Sequence, residues 1–553
     1  MKHNKIFRWS FIALFSLSIL GCGKSSSKYG NSSRGTGWKI NAKEGGFQYN
    51  TKFKGQETAP GLVFVEGGTF TMGKVQDDVM HDWNNTPNQQ HVQSFYIDET
   101  EVTNLMYLEF LDWNKRVYPP DSLEYKKIYN GFLPDTLVWR NRLGYAEVLV
   151  ENYLRHPAYQ NYPVVGVSWV QANAFAKWRS DRVAEMVLQK DGYLERDSHL
   201  KASASQNFSI DTYVYEPTKS FGGNDSITLP VKRRSKVVAE DSINLYARRE
   251  SGSIQVKYRL PTETEWEYAA LGLTELREYN IYRGRKKYPW DGQYTRNGER
   301  KIKGDQLANF KQGKGDYGGI AGWSDDGADI TNEVMSYEPN DFGIYDMAGN
   351  VAEWVADVYR PIVDDEFNDF SYYRGNEYTE NAISDGSVEV VTTDDFESET
   401  LANGNSIVKN LPGEIKRVEI DDKDNQLRTN FSIADNRNFR DGDRQSTRKY
   451  DDGGFNDDTN FTAEMYNAPI HPPAESDSLG NTIIKIDTLS TRTSLVNDNV
   501  RVYKGGSWKD REYWLDPAQR RFYPEGQSTD FIGFRCAMSR VGSKSINKKK
   551  KKN

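Results

Sequence analysis

The chain has 553 residues, of which 37% are hydrophobic and 13% aromatic, so it can bury a sizeable core in about two to four domains. Its formal net charge of -7 is mild, and its longest basic block is the C-terminal run Lys548–Lys552. Nucleic-acid binding needs a concentrated basic face, so the charge argues against nucleic acid as a partner. Residues 542–553 are predicted to form a solvated basic tail.

The N-terminus indicates a lipoprotein signal peptide over residues 1–21. Three basic residues precede the apolar run Trp9–Leu20, which is too short to span a bilayer. The run ends in Gly21-Cys22, and a small residue directly before a cysteine resembles the bacterial lipobox. That resemblance implies diacylglycerol on Cys22, cleavage before it and acylation of the new amino terminus. Two or more acyl chains give stable anchoring in the lipids of a membrane.

Residues 22–60 are predicted to form a flexible tether, because the chain after Cys22 is rich in Gly, Ser and Asn as far as about Gly37. Cys536 is the only other cysteine in the chain. With Cys22 lipidated, Cys536 has no intramolecular partner, so no disulfide is predicted.

Ordered elements begin near Gly61. The stretch 62–73 predicts two short strands around a Gly67-Gly68 turn, and Phe95–Asp98 predicts another strand. Thr103 is predicted to cap a first helix. The apolar stripe of that helix is predicted to be Leu105, Leu108 and Leu111.

Two further helices begin with capping boxes, in which a side chain at each end of a four-residue stretch binds the backbone of the other end. Ser168 and Gln171 open the second helix, and Thr262 and Glu265 open the third. The buried face of the second helix is predicted to be Ala172, Phe175 and Ala176.

Two polar segments, 183–256 and 362–497, interrupt this pattern and are too long for ordinary loops. They are predicted to be insertions with short strands of their own or partly disordered segments. The remaining ordered parts are 61–182, 257–361 and 498–541.

The ordered stretches resemble the formylglycine-generating-enzyme family, also called the sulfatase-modifying-factor domain. The resemblance implies an irregular α+β fold with little regular secondary structure, related in topology to C-type lectins. The matching stretches occur in the family's order. They are LVFVEGGTFTMG (62–73), FYIDETEVTN (95–104), YPVVGVSWVQANAFAKW (162–178), RLPTETEWEYAA (259–270), YPWDG (288–292), LANF (307–310), FGIYDMAGNVAEWVAD (342–357), YKGGSW (503–508) and IGFRCA (532–537).

The family's chemistry depends on two copper-binding cysteines in the loop after the Gly-Gly-Ser-aromatic turn. Soft thiolates suit Cu(I), and a carboxylate or an alkyl group cannot replace them. In this chain the two positions hold Asp510 and Leu515. The resemblance therefore predicts no copper, no catalytic residue and no enzyme activity. Cys536 is predicted to be an inert, buried thiol.

Other members of the superfamily hold iron with histidines, but none of the six histidines here pair at helical spacing. The resemblance does imply two calcium sites, because calcium prefers carboxylate and carbonyl oxygens. The first would use the side chains of Asn309 and Asp326 with the carbonyls of Phe310 and Ala328. The second would use the side chains of Asp346 and Glu353 with the carbonyls of Gly349 and Val351. The alternative is that the acidic residues only cap turns.

A lipid-anchored chain of this family with no cysteine pair and with long insertions resembles the gliding-motility lipoproteins of Bacteroidota-type bacteria. That resemblance implies a scaffold at the outer membrane, facing the periplasm, needed for gliding and type IX secretion. Its partners would be other motility and secretion lipoproteins and envelope proteins.

Two alternatives stay open. One is a lectin-like module that binds carbohydrate or peptide in an aromatic groove around Trp508, Tyr513, Trp514 and Arg520. The other is an unrecognised enzyme, against which the missing thiolates argue.

Overall fold

The computed structural model divides the chain into two compact units, 1–55 with 248–253 and 56–247 with 254–553. Cys22, Asp326 and the C-terminal lysines lie outside the described residues, so the predictions made for them stay predictions. The described residues are 32–42, 46–47, 49, 53, 55–58, 60–73, 84–140, 144–194, 196–217, 219–220, 247, 249–254, 256–273, 286–312, 328–359, 373–375, 379–394, 396, 398–400, 406–408, 410–419, 475–476, 482–483 and 499–542.

The smaller unit is built from short local contacts. Ser32 and Lys39 form an isolated β-bridge, and the side chain of Asn41 accepts a hydrogen bond from the Tyr49 amide at 2.7 Å. Arg249–Ser251 form a short 3-10 helix.

The larger unit contains the α-helices, and the predicted caps are confirmed. The Thr103 side chain caps the first helix, and both hydrogen bonds of the Ser168/Gln171 and Thr262/Glu265 capping boxes are present. Within the described residues, no helix is both long enough and apolar enough to cross a bilayer. The helices are α1 (Asn104–Val117), α2 (Leu123–Phe132), α3 (Glu147–Asn152), α4 (Trp169–Asp191), α5 (Ile210–Tyr215) and α6 (Glu263–Leu271).

The predicted stripe of α1 is wrong in part. Leu105 is 54% exposed and Leu108 only partly buried, whereas Leu111 is buried as predicted. The helix turns Tyr107 and Phe110 toward the core instead, because their larger rings remove more apolar surface from water. On α4 the predicted face of Ala172, Phe175 and Ala176 is buried.

Two four-stranded sheets form the centre of the larger unit. The strands of the chain are β1 (Leu62–Val65), β2 (Gly68–Met72), β3 (Asn88–Val92), β4 (Phe95–Asp98), β5 (Tyr258–Arg259), β6 (Ala352–Val358), β7 (Thr379–Asn381), β8 (Ile383–Ser384), β9 (Ser387–Val388), β10 (Ser398–Thr400), β11 (Ser406–Val408), β12 (Arg417–Glu419), β13 (Glu475–Ser476), β14 (Thr482–Ile483), β15 (Val500–Lys504), β16 (Arg521–Pro524), β17 (Ile532–Phe534) and β18 (Ala537–Ser539). The first sheet has the order β1-β4-β18-β5 and is antiparallel throughout. The second sheet has the order β16-β15-β6-β17, in which only the β17–β6 pair is parallel.

Both strands around the Gly67-Gly68 turn exist, but they do not pair with each other. β1 pairs with β4, and β2 pairs with β3. A side chain at Gly67 would collide with the backbone at Val92 and Ser94, so the close approach of the two segments requires glycine there. The mixed content of helices, short strands and irregular backbone confirms the α+β class.

Parts of the two predicted insertions pack on each other and together form one lobe. We call the described residues of 207–220 and 379–419 the composite lobe. The Thr212 hydroxyl donates to the Gly413 carbonyl at 2.7 Å, and Lys219 Nζ donates to the Val388 carbonyl at 3.0 Å. The lobe is joined to α4 by an ion pair between Lys177 and Glu414 at 2.5 Å.

Candidate functional site

The loop that follows β15 is shaped by two glycines. Gly505 and Gly506 both have left-handed backbone, with φ of 97° and 71°. A Cβ on Gly506 would lie 2.9 Å from the Trp514 carbonyl oxygen, and one on Gly505 would lie 3.0 Å from the Trp266 ring. Neither position accepts a larger residue without strain. The loop then passes through the 3-10 helix Glu512–Leu515 and returns as β16.

Asp510, the first position at which the resemblance implies a copper ligand, is held in a bidentate ion pair. Arg521 Nη1 donates to Asp510 Oδ1 and Nη2 donates to Oδ2, both at 2.6 Å. The Ser507 hydroxyl also donates to Oδ2 at 2.6 Å. Both charged side chains are only about one-seventh exposed, at 14% and 15%. This geometry is among the stronger forms of protein hydrogen bonding, and it fixes the carboxylate in place.

Leu515, the second position, is fully buried. It packs in a small cluster with Tyr288, Ala308, Phe310 and Ala348. An alkyl side chain at this depth contributes packing and has no atom that binds a metal or transfers an electron. The two positions therefore hold a salt bridge and a core contact.

Cys536 lies between β17 and β18 and is also fully buried. Burial, followed by the nearby Asp98 carboxylate, raises the pKa of its thiol to about 12. The reactive form of cysteine is the thiolate, so this thiol is unreactive at neutral pH. Its backbone amide donates to Asp98 Oδ2 at 2.8 Å, which ties β4 to the end of β17.

The residues at the first predicted calcium site fit a hard cation. Asn309 is 1% exposed, and its Nδ2 donates to the Ile330 carbonyl at 2.8 Å. Its Oδ1 is buried and has no hydrogen-bond partner among the described residues. A buried, unpaired amide oxygen costs free energy unless a donor or cation satisfies it. Phe310, the next residue, and Ala328, further along the chain, are both buried, and Asp326 falls outside the described residues.

The second predicted site lies next to the first, since the Asn350 amide donates to the Asn309 carbonyl at 2.9 Å. Gly349 and Val351 sit in this same turn. Asp346 has left-handed backbone (φ 56°), and its Oδ2 accepts a hydrogen bond from the Met335 amide at 3.0 Å. Burial raises the pKa of the Asp346 carboxyl to about 6.

Glu353, the other carboxylate of the second site, is already paired. Arg535 donates to both of its oxygens at 2.6 and 2.7 Å, and Trp266 Nε1 donates to Oε2 at 2.7 Å. A calcium ion here would share this carboxylate with the guanidinium. Within the part of the chain that the structure describes, no group of three or more His, Cys, Asp or Glu side chains is arranged to hold a metal ion.

Residues 48–400, more than half of the chain, match the family described as Sulfatase-modifying factor enzyme 1-like domain. The chain belongs to this family. The Formylglycine-generating enzyme of Mus musculus is 22% identical over 296 residues, which cover 54% of this chain and 58% of that protein. The Inactive C-alpha-formylglycine-generating enzyme 2 of Mus musculus is 23% identical over 320 residues, which cover 56% of this chain and 72% of that protein.

The chain is also similar to part of a longer protein and to a solved structure. The Serine/threonine-protein kinase pkn1 of Chlamydia caviae is 25% identical over 301 residues, which cover 54% of this chain and 28% of the kinase. The chain thus spans about a quarter of the kinase and somewhat over half of the mouse enzyme. The solved structure of PvdO from Pseudomonas aeruginosa covers 86% of this chain and 94% of its own length, at 15% identity and a TM-score of 0.36.

The four residues predicted to line an aromatic groove separate into two pairs. Trp508 is 5% exposed and donates its indole N–H to the Asp530 carbonyl at 3.0 Å. Arg520 is 6% exposed and donates to Glu263 at 2.6 Å. Both belong to the core. Tyr513 and Trp514 remain half-buried at the surface, where the Arg521 guanidinium lies 4.5 Å from the Trp514 ring centre.

Sequence reasoning did not single out Glu101, which is fully buried beside the second predicted calcium site. Its carboxylate accepts hydrogen bonds from Asn350 Nδ2 at 2.8 Å and from the Val351 amide at 3.2 Å. Burial, and then the charges of Asp346 and Glu353, raise the pKa of Glu101 well above its usual range. The signal available in the sequence was an acidic residue two positions before the cap of α1.

Proposed function

We propose that this chain is a non-catalytic, lipid-anchored scaffold of the outer membrane that serves gliding motility and type IX secretion. The observations that carry the non-catalytic part are the Asp510–Arg521 ion pair and the burial of Leu515. By the resemblance, Asp510 and Leu515 stand where the family's chemistry requires thiolates. The similar Inactive C-alpha-formylglycine-generating enzyme 2 of Mus musculus is, by its name, inactive, so loss of activity has a precedent among the relatives of this chain.

The scaffold part of the proposal is supported by the composite lobe. It presents exposed apolar side chains, with Ile383 70% and Val418 39% exposed, beside a polar cleft of about 640 Å³. The cleft is lined by charged residues of both signs that come from both insertions. They include Lys219, Asp385, Glu389 and Lys416. A surface that mixes exposed apolar groups with a charged rim is typical of a protein-binding site.

The motility role rests on the resemblance to gliding-motility lipoproteins. Among them, the chain length and the long segment between the calcium region and the Gly-Gly-Ser loop favour the J type over the K type. The anchor is proposed at Cys22. Replacing it (Cys22→Ala) is expected to abolish acyl labelling and release the protein from membranes, whereas Cys536→Ala keeps both. Continued membrane attachment of the Cys22 variant would count against the anchor.

Affinity purification of the full-length chain from native membranes tests the scaffold. The wild type is expected to retain a defined set of envelope or secretion proteins. A lobe variant, Ile383→Ser with Val418→Ser, is expected to lose them. A control variant that removes two exposed apolar side chains elsewhere, Leu137→Ser with Tyr145→Ser, is expected to keep them. Recovery of no envelope protein, or of the same set with the lobe variant, would remove the support for a scaffold.

A lectin-like module is the second candidate, favoured by the half-buried Tyr513 and Trp514 and by the arginine beside them. Aromatic faces next to a charged donor suit a sugar ring. Glycan-array binding that disappears in Trp514→Ala would favour this candidate. An array without any bound glycan would dismiss it.

A further inference from the structure

Residues 294–307 form a hairpin whose two arms are joined by backbone hydrogen bonds. The Leu307 amide donates to the Thr295 carbonyl at 2.9 Å, and the Asn297 amide donates to the Asp305 carbonyl at 2.8 Å. Trp290 Nε1 donates to the Tyr294 carbonyl at 2.8 Å, which fastens one arm to the preceding turn. The loop therefore presents its tip in a defined conformation.

The tip of this hairpin is basic in a chain that is acidic overall. Residues 294–305 contain four basic and two acidic side chains, whereas the whole chain has a net charge of -7. Arg300, Lys301 and Lys303 are all exposed. Among the described residues, none of these three has an acidic partner at ion-pair distance. Their charges are available to an external anion.

The same hairpin exposes apolar groups. Tyr294 is 79% exposed, and Ile302 is 37% exposed between Lys301 and Lys303. Lysine and arginine are attracted to an anionic lipid surface, and tyrosine favours the boundary between headgroups and acyl chains. A basic tip with an apolar and an aromatic side chain combines both contributions.

We propose that the hairpin 294–307 binds the surface of a bilayer that carries anionic phospholipid headgroups. The proposal rests on the proposed lipid anchor, which keeps the domain within reach of a bilayer. An acidic protein is the competing partner. The composition of the tip favours the bilayer, because lysine is depleted at protein interfaces and two of the three free cations are lysines. Contact between this loop and the bilayer would determine the orientation of the domain relative to the membrane.

Vesicle co-sedimentation of the full-length Cys22→Ala chain tests this contact without acyl chains. Phosphatidylcholine vesicles with and without phosphatidylglycerol are the probes. We expect binding to the anionic vesicles that weakens at high salt, because exposed charges are screened. The triple variant Arg300→Gln, Lys301→Gln, Lys303→Gln is expected to bind at least about tenfold more weakly. Tyr294→Ser is expected to weaken the binding that remains at high salt.

The control replaces three exposed lysines on α1 and α2: Lys115→Gln, Lys126→Gln and Lys127→Gln. It has the same net charge as the tip variant and the same N-terminus, and we expect it to bind as tightly as the parent. Equal loss in both triple variants, or no preference for anionic vesicles, would overturn the proposal. Retention on polyglutamate without vesicle binding would assign the tip to an acidic protein instead. Failure of the scaffold proposal would appear only in the affinity purification, since the vesicle assay uses purified chain.

Discussion

The Arg521 guanidinium donates two parallel hydrogen bonds of 2.6 Å to the Asp510 carboxylate. The same guanidinium lies 4.7 Å from the ring centre of Tyr503. The pair joins the loop after β15 to β16. Because the carboxylate is satisfied by the guanidinium and by Ser507, it is a structural group.

Breaking this pair should destabilise the domain. Asp510→Asn is expected to lower the free energy of unfolding by about 1–3 kcal/mol, because it leaves a partly buried guanidinium with a neutral partner. The matched control is Glu147→Gln, which breaks the bidentate but exposed pair with Arg140. Exposed pairs contribute little, so this change should be near neutral. Denaturant titration of both variants measures the difference, and equal losses would contradict the structural role of Asp510.

Leu515 is expected to behave as a core residue. Leu515→Ala should cost about 2–5 kcal/mol of stability through lost burial and the cavity left behind. Leu137→Ala, at a leucine that is 53% exposed, should cost much less. Thermal or chemical unfolding checks this. A Leu515→Ala protein as stable as the wild type would mean that the side chain does not fill the site.

Bound calcium is predicted to stabilise the protein. Metal analysis should find tightly held calcium, and a chelator should lower the melting temperature. Asn309→Ala removes the orphaned Oδ1 and should reduce the response to chelation, whereas Asn152→Ala, on α3, should leave it unchanged. A metal-free preparation whose melting temperature does not respond to chelation would rule the sites out.

Stability should also depend on pH through Asp181, which lies on α4 where the first insertion joins it. Its Oδ1 accepts a hydrogen bond from the Ile210 amide at 2.8 Å. Burial raises the pKa of this carboxyl from 3.8 to about 7, with Arg182, Lys177 and Glu414 as its charged neighbours. The folded state therefore favours the protonated acid. The stability that the protonated Asp181 carboxyl contributes is fully present below its unfolded pKa of about 4, and it is lost as the pH rises through about 7.

The free energy of unfolding should fall by on the order of 2 kcal/mol between about pH 4 and pH 8 because of this group, a value reduced for its partial exposure. Asp181→Asn keeps the acceptor for Ile210 and should flatten the profile. Asp112→Asn, on the exposed face of α1, should leave the slope as it is. Denaturant titrations across this pH range measure the free energy of unfolding of both variants. An unchanged pH dependence in Asp181→Asn would mean that another group titrates.

Local signals in the sequence predicted local structure well. The two capping boxes form as predicted because every atom involved lies within one turn of helix; the pairs are Ser168 with Gln171 and Thr262 with Glu265. The glycines at 505 and 506 form the predicted turn. The prediction of the apolar stripe on α1 was wrong in part because it used only the spacing of the leucines. It did not consider that Tyr107 and Phe110 of the same helix would be buried in the core instead.

Long-range pairings could not be predicted in this way. Glu353 and Arg535 are 182 positions apart, and neither the spacing nor the composition of the chain brings them together. The same holds for Thr212 and Gly413, whose contact joins two segments that looked independent in the sequence. Such contacts depend on the whole topology, including the parallel β17–β6 pair.

The most direct test of the central claim is an oxidation assay on the purified full-length chain. The chain is incubated with Cu(I), oxygen and a cysteine-containing peptide, beside the mouse formylglycine-generating enzyme as a positive control, and aldehyde formation is measured. The salt bridge at Asp510 and the packed Leu515 predict no aldehyde above the blank that contains copper and peptide alone. Aldehyde that increases with the amount of protein and saturates with peptide would contradict a non-catalytic domain.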